Sequence, residues 1–501
     1  MKPRSFRQSM AWLHGWSGLV LGWLLFAIAA SGTASVFKNE ISDWMRPEVT
    51  AHADPIEALA TALAYLHAAA PNSPSWYLTA PDARASTTLA LFQVPKGVDG
   101  KPVWHTRALD PVTGRPDGIR DTLGGEFLYR FHFELQLPYP WGRMIASAAG
   151  MLLLVTLIAG IITHKRMFAD FFTLRPDKGK RSWLDLHNAL GVFALPFHLM
   201  ISLTGVLTLI TLTLPWGAST RAIAELSPGF ITRPTTHRPA PAADSRTMLR
   251  DAIRRFGNGH IGSVAVDNPG DAAAVLRISR NDADQLADGA ATATYAMATG
   301  RPIAFYAEKR PAKRTYDVLY GLHLGRFAPT FAHWLYFVCG LLLTATIASG
   351  LVLWTRSRAG GTGFGHLLVA RLTVGAVSGM PLAIAAFFWA NRLLPAGMPF
   401  RADAEVQWFF GALGIALIVG LTLRPRWGWI ALMALAAAGW SLLPLLSALT
   451  TGRNPALSIA RRDWIFLGFD LVALLLGIAA AAIALSVTRH RPAPARVRGP
   501  A

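Results

Sequence analysis

Residues 183–205, WLDLHNALGVFALPFHLMISLTG, decide the fold, because residues 11–32, AWLHGWSGLVLGWLLFAIAASG, anticipate them. His14 precedes Gly18 by four positions and Gly32 by eighteen, and His187 precedes Gly191 and Gly205 by the same intervals. Each copy opens with a histidine at the mouth of an apolar helix. Each is followed by a polar stretch, and then by a second histidine segment, FLYRFHFEL around His132 or VLYGLHLGR around His323. That segment leads into a further apolar helix ending LIAGIITH or TIASGLVLW. A duplicated helix pair that carries histidines at or near a membrane is an arrangement suited to paired axial ligands for haem.

Hydrophobic residues make up 52% of the 501 positions and charged ones 15%, and several apolar runs exceed the roughly 18 residues that separate a membrane span from a buried helix. The chain reads as a mainly α, polytopic membrane protein of about eight spans, near 15–37, 143–163, 186–213, 331–354, 367–390, 406–423, 428–449 and 464–487. The net charge of +19 is a matter of topology and does not signal nucleic acid. Lys2, Arg4, Arg7, Lys165, Arg166, Arg175, Lys178, Lys180, Arg181, Arg356, Arg358, Arg424, Arg426, Arg489, Arg491, Arg496 and Arg498 all fall on one side of that eight-span reading. The positive-inside rule then places both termini in the cytoplasm. The first run ends in ASGTAS, which imitates a secretory cleavage site, but the run is longer than the usual apolar core of about 7 to 15 residues. Cys339 is the only cysteine, which excludes an intramolecular disulfide and a thiolate cluster.

The order along the chain is an N-terminus and first span (1–37), a polar module (38–130), the His132 segment with two spans (131–214), a second polar module (215–320), the His323 segment with a fourth span (321–358), and four further spans with a basic tail (359–501). On the charge rule both modules are extracytoplasmic. Each reads as a small α+β unit. In the first, DPIEALATALAYLHAAAP has helical spacing and LALFQV and VWHTRALD read as strands. In the second, SRTMLRDAIRRF is a helix and IGSVAVD, AAVLRIS and ATYAMAT are strands. Gly114 and Gly300 end matching turns, where glycine accepts a positive φ most easily.

Ionisable side chains within spans are costly and mark function. His187 and His198 lie eleven residues apart, so at about 100° per residue they share a helix face at two depths, roughly 16 Å apart. Haem suits this better than a bare metal, which would want three or four ligands converging at one depth. His14 and His187 are expected to hold one haem, with His164 as substitute partner. His198 is expected to ligate a second, its partner open among His132, His323 and His333. Arg310, Lys313 and Arg314 form a basic turn that would attract an anionic chelate or hold a haem propionate.

The order of span, module, histidine helix and span, repeated once, with WLDLHNALG, LPFHLM, ITHKRMFADFF and FFWANRLLP, resembles the PepSY-associated transmembrane family of bacterial inner membranes across essentially the whole chain. The resemblance implies periplasmic PepSY-like modules and b-type haems, two on the present reading. It also implies a ferric-siderophore reductase that releases Fe(II) for iron uptake, working in the lipid bilayer with an electron donor that no dinucleotide fingerprint identifies. Two other readings are a non-enzymatic PepSY-bearing binding or regulatory protein and a permease for iron chelates.

Overall fold

A computed structural model describes residues 5–50, 52–94, 103–164, 171, 173, 175, 178–213, 231–289, 291–358 and 363–489. Of the basic positions used above, Lys2, Arg4, Lys165, Arg166, Arg491, Arg496 and Arg498 lie outside the described residues. The chain forms two compact units, Met1–Leu174 with His187–Thr346, and Arg175–Leu186 with Ile347–Ala501.

Among the described residues six helices are long and apolar enough to cross a membrane: Trp141–Thr163, Thr330–Ser357, Phe364–Leu393, Arg401–Thr422, Pro425–Thr451 and Trp464–Arg489. The first and third expected spans are each broken. Phe6–Val20 meets Gly22–Ser35, and Lys180–Phe193 meets Leu195–Thr208, both at 68°, so the total reaches eight if each bent pair counts as one span. The breaks are themselves a repeat feature. Leu21 (φ −108°, ψ 4°) and Ala194 (φ −112°, ψ 24°) leave helical geometry at equivalent positions. In the second copy Pro196 follows the break, where its missing N–H costs least.

The two polar insertions, read from sequence as separate modules, build one seven-stranded antiparallel sheet in the order β3-β2-β1-β4-β5-β6-β7. Its strands are β1 Ser75–Thr79, β2 Thr88–Val94, β3 Val103–Leu109, β4 Ile261–Asp267, β5 Val275–Arg280, β6 Ala291–Ala296 and β7 Pro302–Ala307. The join is β1 against β4, with Trp76 opposite Val266 and Leu78 opposite Val264. Each half would otherwise expose the unpaired N–H and C=O groups of an edge strand, and pairing the two edges satisfies both. The helices Pro55–Ala69 and Ser245–Arg255 supply Leu59, Leu63, Leu66, Met248 and Leu249 to a core shared with Trp76, Leu78, Val264, Val266 and Ile278. Asp54 and Asp244 cap these helices by accepting from Ile56 N at 2.9 Å and Arg246 N at 3.1 Å. Gly114 and Gly300 adopt φ of +67° and +69°, as the turns require. β7 starts on Pro302 and lies at an edge, where a missing ladder N–H does no harm.

In the second unit, Phe364–Leu393 and Arg401–Thr422 approach backbone to backbone at glycines: a Cβ on Gly420 would lie 2.6 Å from Gly375 N. Buried polar groups tie the helix ends there. Arg401 pairs with Glu405, Asn391 Nδ2 donates to Glu405 Oε1 at 2.8 Å, and Arg392 Nε donates to Ser447 Oγ at 3.1 Å. Satisfied charges of this kind are the ones an apolar bundle tolerates. His366 lies in the first turn of Phe364–Leu393 and stacks on Trp354 with ring centres 6.1 Å apart.

Candidate functional site

The first unit brings four histidines together as two pairs. The rings of His14 and His187 lie 6.2 Å apart, centre to centre, at an interplanar angle of 65°. Those of His132 and His323 lie 6.1 Å apart at 22°. Each pair takes one member from each copy of the repeat.

Every one of these rings is held the same way, by a main-chain carbonyl on a neighbouring helix. His14 Nδ1 bonds Thr156 O at 2.8 Å, and His187 Nδ1 bonds Thr346 O at 3.0 Å. His132 Nδ1 bonds Ile28 O at 2.8 Å, and His323 Nδ1 bonds Ile201 O at 3.1 Å. Thr156 and Thr346 are repeat equivalents, as are Ile28 and Ile201. A carbonyl can only accept, so Nδ1 carries the proton and Nε2 keeps its lone pair, the form of imidazole that ligates a metal. The carbonyl acceptors escaped sequence reasoning because any residue supplies one.

Glycine makes room for the rings. A Cβ on Gly32 would stand 2.6 Å from His132 Cε1, one on Gly205 2.8 Å from His323 Cε1, and one on Gly160 3.0 Å from His14 Cε1. Gly32 and Gly205, the markers that exposed the repeat, are therefore the seats of the second histidine pair. His187 and His323 are half-buried.

The remaining candidates are placed differently. His164 caps Trp141–Thr163, where its N–H bonds Gly160 O at 3.0 Å, and it lies near enough to His14 and His187 for their charges to interact. His198 is fully buried, and its ring faces the main chain at Cys339 and Gly191. Among the described residues it joins no other imidazole; of its expected partners, His132 and His323 face each other. Its repeat equivalent is the buried Leu25. His333 Nε2 accepts from Arg84, which also donates to Glu40 Oε1 at 2.6 Å and to Val36 O at 2.8 Å, so the nitrogen that would ligate is occupied. Arg310 pairs with Glu308 at 2.8 Å and Lys313 with Asp317, while Arg314 is exposed. The basic turn expected to receive an anion is thus largely neutralised by its own carboxylates.

The donor set fits haem. An imidazole nitrogen sits roughly 2 Å from a bound metal, so two rings ligating one iron from opposite sides have centres roughly 6 Å apart. Among the described residues no three His, Cys, Asp or Glu side chains converge, as a bare zinc or copper site would ask.

An uncharacterized protein of Pseudomonas aeruginosa is 28% identical to this chain over 372 residues, which span 66% of this chain and 89% of that protein. The family described as the PepSY-associated TM region matches residues 11–357, a stretch that holds both histidine pairs and the whole sheet. The chain belongs to the PepSY-associated transmembrane family.

Proposed function

We propose that this protein carries electrons across a bacterial inner membrane through two b-type haems, one between His14 and His187 and one between His132 and His323, to reduce an Fe(III) siderophore chelate in the periplasm. The observation that carries this reading is the pair of repeat-related imidazole couples, each ring fixed through Nδ1 on a carbonyl. Haem would supply a one-electron carrier at each level, its potential set by ligand identity, burial and hydrogen bonding.

The chain's own part is to orient and to exclude water. The Thr156 and Thr346 carbonyls keep the first pair of rings in one tautomer and direction; those of Ile28 and Ile201 do so for the second. On the substrate, Fe(II) is a softer and less charged acid than Fe(III), so reduction loosens oxygen-donor chelation and frees the metal without destroying the chelator. The direction of transfer rests on charge. Arg7, Arg181, Arg356, Arg424 and Arg489 mark one set of span ends and the sheet-forming insertions join the other set, which favours sheet outside and basic ends inside.

The test is a reduced-minus-oxidised spectrum of the purified full chain with a haem-to-protein ratio. Two low-spin haems per chain are expected. A colourless, folded preparation would reject the reading and leave a binding or regulatory protein.

A further inference from the structure

The two histidine pairs are alike in separation and unlike in attitude. The His132 and His323 rings lie within 22° of parallel, whereas those of His14 and His187 are turned 65° apart. An axial imidazole can swing about the line from Nε2 to its metal, so its azimuth is set by where its Nδ1–H points. In the second pair the two copies of the repeat give that N–H unequal acceptors.

His323 Nδ1 has two, Ile201 O at 3.1 Å and Thr204 Oγ1 at 3.2 Å. The carbonyl can only accept, so the proton sits on Nδ1 and the hydroxyl must accept as well. Thr204 can do so because its own proton goes to Met200 O at 2.7 Å, one turn back in the helix Leu195–Thr208. The bonds thus run in one sense, from imidazole to hydroxyl to carbonyl, and Thr204 is buried. The first copy carries serine at the equivalent position. Ser31 Oγ makes the same bond back to Ala27 O at 2.7 Å. Among the described residues, however, His132 Nδ1 meets only Ile28 O. A second acceptor from a different direction narrows the swing of His323 in a way that His132 lacks. It also raises the basicity of the ligand, which favours Fe(III) over Fe(II), and a hydroxyl already donating elsewhere accepts more strongly.

We propose that Thr204 is a positioning residue that acts through His323, holding that ring nearly parallel to His132 and lowering the potential of the haem between them. The inference rests on the haem assignment made under the proposed function. The helices that carry His132 and His323 are the first after β3 and β7. Thr204 therefore makes the carrier nearer the sheet a stronger reductant, as a tightly chelated Fe(III) demands.

The test is electron paramagnetic resonance of the oxidised full chain in detergent, paired with a potentiometric titration followed by visible absorption. Low-spin ferric haem gives a rhombic spectrum when its imidazole planes are near parallel, and a broad, strongly anisotropic low-field signal when they turn toward perpendicular. One signal of each kind is expected, the rhombic one from the second pair. Thr204→Val, which keeps the shape of the side chain and removes the acceptor, should leave the haem-to-protein ratio unchanged. It should displace or broaden the rhombic signal and raise one midpoint potential, with the other signal and potential unmoved. Thr204→Ser should restore both readouts. Two signals of the same kind overturn the inference, as does a Thr204→Val protein with the spectrum and potentials of the parent. A Thr204→Ser protein that behaves like Thr204→Val would assign Thr204 to packing and also overturn it. A folded chain that holds no haem sinks the reductase reading and this inference together, whereas two haems of one kind sink the inference alone.

Discussion

At the scale of the residue, four imidazoles share one design, and their neighbours define it by contrast. His14, His187, His132 and His323 each offer Nε2 because a carbonyl holds Nδ1, whereas Arg84 covers Nε2 of His333. Alanine at any of the four should therefore remove about one of two haem equivalents, while His198→Leu, which copies Leu25 of the first repeat, and His333→Gln should leave the ratio intact. Haem-to-protein ratios of the purified variants decide this, and loss of a haem on His198→Leu would show that the pairing is wrong. The glycine seats give a finer test. Gly205→Ala would bring a methyl to 2.8 Å from His323 Cε1, and the ring can retreat only by breaking its bond to Ile201 O. The spectrum of one haem should shift or vanish while the other, between His14 and His187, keeps its bands.

At the scale of the element, the β1–β4 join converts two small α+β folds into one sheet over one core. Leu78, fully buried and opposite Val264 at that join, should cost about 2–5 kcal/mol when cut to alanine. Because both halves share that core, the loss should appear as one earlier unfolding transition of the whole sheet, followed by the fluorescence of the buried Trp76. Two separate transitions, only one of them moved, would mean that the halves fold independently.

At the scale of the whole molecule, charge distribution yields two expectations. Protein reduced in sealed vesicles should lose electrons to a membrane-impermeant ferric chelate only when that chelate meets the sheet side, with ferrous product trapped there. Equal oxidation from both faces would contradict the orientation drawn from the basic span ends. The second concerns pH. Burial, with the neighbouring Asp282 next in weight, pushes the Asp288 carboxyl up to about 7. Asp282, Arg326, Asp317 and Tyr320 face it from the surrounding elements, and among these groups Asp288 is the one set to change charge near neutrality. Its folded value lies above that of a free carboxyl, so the unfolded chain gives up the proton first and the stability of the sheet-bearing unit should fall as pH rises from about 4 to about 7. Asp288→Asn should flatten that fall in a thermal-unfolding series against pH, and a parent profile already flat would refute the assignment.

Sequence alone determined the membrane class, the duplication, the two insertions and the histidines worth watching, because hydropathy, charge at span ends and repeated spacing are properties of the chain read in one dimension. It placed His14 with His187 because pseudo-symmetry brings equivalent residues together at the repeat axis. The same logic applied to His132 and His323 would have paired them as well. They lie outside apolar runs, however, and His198, inside one, drew the assignment. Tertiary structure decided that pairing, since the bends at Leu21 and Ala194 and the seating of His132 and His323 on Gly32 and Gly205 are contacts between helices distant in the chain. It likewise decided the fusion of the two modules. β1 is short, and its partner β4 lies nearly two hundred residues away; hydropathy windows register local pattern, whereas strand pairing depends on which edges meet in space.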